Sequence, residues 1–295
     1  MPFFHLLLAL GTVLVWGLNY VAISWGLRDL PPVLMASLRF GLTAVPLVLF
    51  VPRPKAPLRL LAGFTLSMFV AEFVLLYGGI KAGMPAGLAS LVMQLHVFLT
   101  MGLALALLGE RPRATQWVGA AVAFAGVALV GWHMPTRNSL VGFAMVIGSS
   151  LAWAVGNHFI KRIGTVDPVS LVVWCSLFAA PALLGAALVL DGPAALRHSA
   201  ALFTWRTLAV LLFQAYPATL FGFAGWSYLL RRHPAATVAP LSMLVPVCSM
   251  VAGAVILGEP LTAWKGLAMA LVLGGLAVNQ WAPGLPALAG DQDPA

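Results

Sequence analysis

Ten apolar segments, each close to the thickness of a bilayer, follow one another along 295 residues and leave room for little else. A spanning helix needs about 20 mostly apolar residues. Runs of that length fall at roughly 3–26, 33–51, 58–79, 85–108, 114–132, 139–160, 168–190, 206–230, 235–257 and 262–281. The links between them carry turn chemistry, as in Asp29-Leu30-Pro31-Pro32, Pro52-Arg53-Pro54-Lys55 and Met134-Pro135-Thr136-Arg137. Apolar residues make up 61% of the chain and charged ones 8%, against about 25% charged in an ordinary soluble domain. No soluble fold of this size hides so much apolar surface. The expected fold is therefore an all-α membrane protein with ten transmembrane helices.

The net charge of +8 does not point to nucleic acid, because the 16 Lys and Arg lie singly or in pairs at the ends of apolar stretches. Membrane topology leaves that distribution. Nine of them fall on the side that holds both termini: Arg53, Lys55, Arg59, Arg111, Arg113, Lys161, Arg162, Arg231 and Arg232. Six fall on the other side: Arg28, Lys81, Arg137, Arg197, Arg206 and Lys265. Basic loops are retained in the cytoplasm, so both termini are expected there. Met1 to Leu27 lacks a basic leading region and reads as the first membrane helix, not as a cleaved signal. Cys175 and Cys248 both sit inside apolar segments and read as packing residues.

The chain is also duplicated. A shift of 149 positions lays Pro85-Ala86 on Pro234-Ala235, Leu95 on Leu244, Met101 on Met250, Leu108-Gly109-Glu110 on Leu257-Gly258-Glu259, and Gly126 on Gly275. A shift of 137 lays Trp16-Gly17 on Trp153-Ala154, and the longer link from Asp191 to Trp205 absorbs the difference. The domain reading follows: residues 1–133 and 139–281 are two five-helix repeats, and 282–295 form a disordered tail. Five is odd, so the second repeat enters the membrane upside down, with Glu110 and Glu259 at opposite faces. Inverted repeats around a central cavity are a common architecture of alternating-access carriers.

Polar groups at membrane depth mark candidate sites, since burial there is costly. Two full charges qualify, Arg39 and Glu72, each about 10 Å below the outer face at 1.5 Å per residue. An ion pair pinning two helices is the favoured reading, and a proton-coupling carboxylate the other. Trp16, Asn19 and Tyr20 share one face of the first helix, and Trp153 and Asn157 one face of the sixth. In the fourth segment Gln94 and Phe98 share a face, while His96 points about 200° away from Gln94 on an unbroken helix. Gln94 is taken as the pathway residue and His96 as packed. Pro240 and Pro246 remove backbone donors from the ninth segment, leaving carbonyls for Ser242 or a substrate ammonium. Phe73 and Tyr77 in the third segment and Gln214 in the eighth complete the candidates.

Enzyme motifs are missing. The sequence holds no glycine-rich phosphate loop, no Cys or His cluster at metal spacing and no adjacent acidic pair. No cofactor or metal is expected, and no ring of repeated polar residues suggests an ion filter. The expected partners are a small-molecule substrate, the lipid bilayer and, if Glu72 titrates, protons.

Trp16-Gly17-Leu18-Asn19-Tyr20, Arg39-Phe40, the Gly-Glu that closes the fourth and ninth segments, and the glycine-bearing fifth and tenth segments resemble the EamA family of the drug/metabolite transporter superfamily. The resemblance runs from residue 3 to 281. It implies a bacterial inner-membrane carrier, similar to members that export aromatic amino acids or cysteine and O-acetylserine. The rival readings within the superfamily are multidrug or organic cation exporters and nucleotide-sugar carriers.

Overall fold

The computed structural model of this chain describes residues 1–109, 112–233 and 235–280. Glu110 and the tail expected at 282–295 lie outside the described residues. Every regular element among the described residues is helical. Among the described residues nine helices are long and apolar enough to cross a membrane. These are α1 (Phe3–Asp29), α2 (Pro32–Leu49), α3 (Leu58–Lys81), α4 (Ala86–Leu107), α5 (Ala114–Trp132), α6 (Arg137–Ile163), α7 (Pro168–Leu190), α8 (Trp205–Leu230) and α9 (Pro240–Leu257). The segment expected at 262–281 forms α10 (Ala263–Gln280), 18 residues that include Lys265, Asn279 and Gln280 and are less apolar than the nine. A short helix, Pro193–Leu202, occupies the link between α7 and α8, where no element was expected.

Local chemistry sets the ends. Pro occupies the first helical position of α2 and α7, where its missing N–H is no loss. Asp167 Oδ2 accepts from Ser170 N at 2.7 Å and Thr136 Oγ1 from Ser139 N at 3.1 Å, so α7 and α6 begin on side-chain caps. Gly109 and Gly258 end α4 and α9 in left-handed conformation, with φ of 68° and 71°, which a Cβ would strain. The Gly-Glu signature of both repeats is thus, in its first residue, a helix stop.

Half or more of each span is unburied even though its residues are apolar. Leu14, Val118, Phe124, Val251 and Val255 all face outward, as lipid-facing positions do. Inside, helices of the first five pack against helices of the second five through small residues, as membrane helices do. A Cβ at Gly126 would stand 2.9 Å from the carbonyl oxygen of Ala268, and Gly119 lies as close to Gly275. The pairing of 119 with 275 and 126 with 268 makes α5 and α10 antiparallel. Ser37 Oγ donates to Ala180 O at 2.8 Å and Ser170 Oγ to Pro52 O at 2.6 Å, so α2 and α7 are antiparallel too.

Apart from α2, which is broken only near its end, before the 3-10 turn Leu47–Leu49, four of the long helices are interrupted in mid-span, at equivalent places. A wide π turn interrupts α3 at Leu66–Ala71 and α8 at Gln214–Phe221. The α4 helix breaks between Met93 and His96, and a tight 3-10 turn, Ala239–Met243, precedes the regular part of α9. Such irregular turns inside helices recur at functional sites. Here they surround one point.

Candidate functional site

That point is a cavity of about 140 Å³ among α1, α2, α3, α4, α6, α8 and α9. Trp16, Asn19, Tyr20, Arg39, Glu72, Phe73, Gln94, Trp153 and Ser242, nine of the residues singled out in the sequence, line it. Both repeats contribute. Aromatic rings form much of the wall, and Trp16 is fixed by donating from Nε1 to Ala218 O at 3.0 Å, a carbonyl in the π turn of α8. The ring also fills the space where Gly222 has no side chain.

Arg39 is 3% exposed, and its guanidinium is held by three hydrogen bonds to neutral groups. Nη1 donates to Tyr77 Oη at 2.9 Å, while Nε and Nη2 donate to Thr219 Oγ1 at 3.1 and 2.8 Å. Tyr77 Oη donates in turn to Gln214 Oε1 at 2.9 Å, and Thr219 Oγ1 donates to Gln214 O at 2.7 Å. The Phe73 ring lies 4.5 Å from the guanidinium carbon, within cation–π range. The ion pair expected between Arg39 and Glu72 is not formed: no salt bridge joins them, and Glu72 Oε2 has no hydrogen-bond partner among the described residues. Arg39 is already satisfied by α3 and α8, so the two charges face one cavity without touching each other.

Glu72 is not alone in this. Asn19 Oδ1 and His96 Nδ1 are also buried without a partner, and both residues line the same cavity. Buried polar groups are nearly always bonded, and exceptions call for an explanation such as an absent ligand or water. Three of the eight such atoms among the described residues belong to the lining of this one small space, which gives it a polar wall suited to a polar ligand.

Several expectations need correction. His96 lines the cavity together with Gln94, because the break after Met93 abolishes the 100° step on which their separation rested. Phe98 does not line it; it is 3% exposed and packs near Phe124, with ring centroids 6.4 Å apart. Tyr77 and Gln214 are fully buried behind the cavity, as supports of Arg39. Asn157 lies one turn beyond Trp153, in a separate cavity of about 350 Å³ toward the Lys161 end of α6, where its Nδ2 donates to Thr100 Oγ1 at 3.0 Å. Thr219 was missed by sequence reasoning. Its signal was Pro217, two residues earlier, whose place inside a helix disturbs the regular backbone bonding.

The sequence profile of the EamA-like transporter family matches residues 3–132 and again residues 140–280. A protein of Escherichia coli K12 named "Probable amino-acid metabolite efflux pump" is 40% identical, over 92% of this chain and 93% of its own length. A protein of the same name from Salmonella typhimurium is 41% identical over the same shares. The uncharacterized inner membrane transporter YedA of E. coli K12 is 24% identical, over 92% of this chain and 89% of its own. A solved crystal structure superposes with a TM-score of 0.63 over 94% of this chain and 96% of that one, at 21% identity, which speaks for the fold alone. With both halves matched and relatives at 40% identity covering nearly the whole chain, this protein belongs to the EamA-like transporter family.

Proposed function

We propose that this chain exports amino acids and related small neutral metabolites across a bacterial inner membrane by alternating access. The observation that carries the reading is the central cavity, where Arg39 and Glu72 face one space unpaired with each other. An amino acid is a zwitterion. Its carboxylate suits the N–H groups that Arg39 has not used, and its ammonium suits the free oxygen of Glu72. Asn19, Gln94 and His96 offer neutral hydrogen bonds, and Trp16, Phe73 and Trp153 offer apolar walls for the side chain. The relatives at 40 and 41% identity, named as probable amino-acid metabolite efflux pumps, support the same substrate class.

The rival readings fit less well. The cavity of about 140 Å³ is smaller than the roughly 300–1,000 Å³ of drug-sized sites. Arg39 is the only Lys or Arg lining it among the described residues, whereas a nucleotide sugar brings two phosphates.

The architecture we infer is ten transmembrane helices as two inverted repeats, bounded at 1–133 and 139–281. Its support is the antiparallel course of the equivalent helices α2 and α7, and of α5 and α10. The two family matches support the boundaries, and the count of basic residues puts both termini in the cytoplasm. The breaks in α4 and α9 are the natural bending points as the halves rock about the cavity. Glu72 also serves as the coupling carboxylate if export is proton-driven.

Counterflow into proteoliposomes tests this: labelled amino acid outside, a panel of unlabelled metabolites inside, with and without a pH gradient. Acceleration by neutral amino acids is expected. Acceleration only by nucleotide sugars or organic cations would overturn the substrate class. With Glu72 holding the substrate ammonium, Glu72→Gln is expected to weaken exchange and to remove any stimulation by a pH gradient; exchange at the wild-type level would remove Glu72 from the substrate site, and retained pH stimulation would remove the proton role.

A further inference from the structure

A second cavity, of about 710 Å³, lies between the end of α1 and the start of α8 on the membrane face opposite the amino terminus. It shares no residue with the central cavity. The α1 helix presents Asn19 and Tyr20 to one and Leu18, Val21 and Ala22 to the other. Trp25, Trp205 and Ala209 on its border are exposed, so it opens to the surroundings between the helices.

Its chemistry is divided by depth. The floor is apolar, built by Leu18, Val21 and Phe213, two turns or more from the ends of their helices. Water there would find no hydrogen-bond partners, so an apolar chain is the occupant that suits it. The mouth carries two exposed arginines, Arg28 and Arg206. Neither guanidinium has a hydrogen bond or an ion pair among the described residues. Asp29, the one acid beside them, accepts a hydrogen bond from Thr207 Oγ1 at 2.9 Å. Two cations over one anion leave the mouth positive, and Trp25 and Trp205 stand where tryptophans mark the level of lipid headgroups.

We infer that this seam binds an anionic phospholipid, its phosphate between Arg28 and Arg206 and one acyl chain along the floor formed by Leu18 and Phe213. Guanidinium forks match phosphate oxygens, and a mouth with two cations and one anion favours an acidic headgroup over a zwitterionic one. The bound lipid bridges α1 and α8, which also meet where Trp16 bonds the Ala218 carbonyl. It therefore steadies a seam that borders the central cavity without entering it.

The test uses the full chain purified in detergent, with phosphatidylglycerol, phosphatidylcholine or inorganic phosphate added. Lipid retained is counted by native mass spectrometry and thermal unfolding is followed in parallel. The wild type should retain one phosphatidylglycerol and melt higher, and phosphatidylcholine and phosphate should do neither. Arg28→Gln with Arg206→Gln should bind phosphatidylglycerol about thirty-fold more weakly. Ala209→Trp puts an indole ring across the cavity and keeps both arginines, so it should lose the lipid as well. Equal retention of phosphatidylcholine, a phosphate effect matching that of the lipid, or full retention by either variant would overturn the assignment.

Discussion

Thr219→Val tests how the buried arginine is held. Thr219 Oγ1 accepts from both Nε and Nη2 of Arg39, at 3.1 and 2.8 Å, and valine keeps the branched shape while removing the oxygen. Hydrogen bonds to charged groups are worth about 1.5 kcal/mol each at the low end, so the loss is about 3 kcal/mol. At about 2–4 °C per kcal/mol for a chain of this size, Tm should fall by roughly 6–12 °C. Thr219→Ser keeps the oxygen, loses one methyl group and should cost about 1 kcal/mol or less. The freed guanidinium can turn toward Glu72 across the cavity, so Thr219→Val should also depress amino acid exchange beyond its effect on folding. Unfolding in detergent, followed by tryptophan fluorescence, measures both variants. A Thr219→Val protein melting within about 2 °C of Thr219→Ser would refute the view that Thr219 holds Arg39.

Gly275→Ala places a Cβ against the carbonyl of Gly119 and the amide of Ala123, and overpacking of this kind should cost about 1–3 kcal/mol. Gly274→Ala meets nothing within 4 Å and should be neutral or stabilising by up to about 1 kcal/mol; equal melting of the two would contradict the tight α5–α10 approach. Glu259 accepts from Ala86 N at 2.9 Å and Gly87 N at 3.4 Å, so Glu259→Ala should lose about 1 kcal/mol of helix capping and speed amide exchange at the start of α4, with unchanged exchange there as the contrary result. Asp191 Oδ2 accepts from Leu34 N at 2.9 Å at the head of α2, and burial raises its pKa against the lowering effect of those backbone bonds. Stability from such a raised group is fully present below its unfolded pKa, about 3.9, and is lost as pH rises through the folded value. The stability of Asp191→Asn relative to the wild type should therefore rise with pH from about 3.9 up to the folded value and stay level above it, and a pH-independent difference would exclude the effect.

The duplication was legible because Pro and Gly-Glu are rare enough among apolar residues to align, and both glycines prove to be left-handed helix stops. That Arg39 and Glu72 lie inside the bundle was legible from their places within apolar segments. Their separation was not: Tyr77, Thr219 and Gln214 satisfy Arg39 from helices whose rotation no single segment reveals. The α4 register failed for a related reason. No proline marks the break after Met93, so the helix reads as continuous and exchanges the places of His96 and Phe98. The repeat held the missing signal. Gln94 and Leu95 align with Met243 and Leu244, directly beyond Pro240, and a break in one copy implied a break in the other. Asn157 was given the correct face of α6 but lies one turn too far along to reach the central cavity.

The central claim is that the cavity between the repeats takes a zwitterion, with Arg39 at one pole and Glu72 at the other. The direct measurement is counterflow of a labelled neutral amino acid in proteoliposomes, competed by the free amino acid, by its carboxamide and by its N-acetyl derivative. Competition by the free amino acid alone is predicted, because each derivative leaves one of the two charges unmatched. Equal competition by the carboxamide or the N-acetyl compound would contradict the two-pole site.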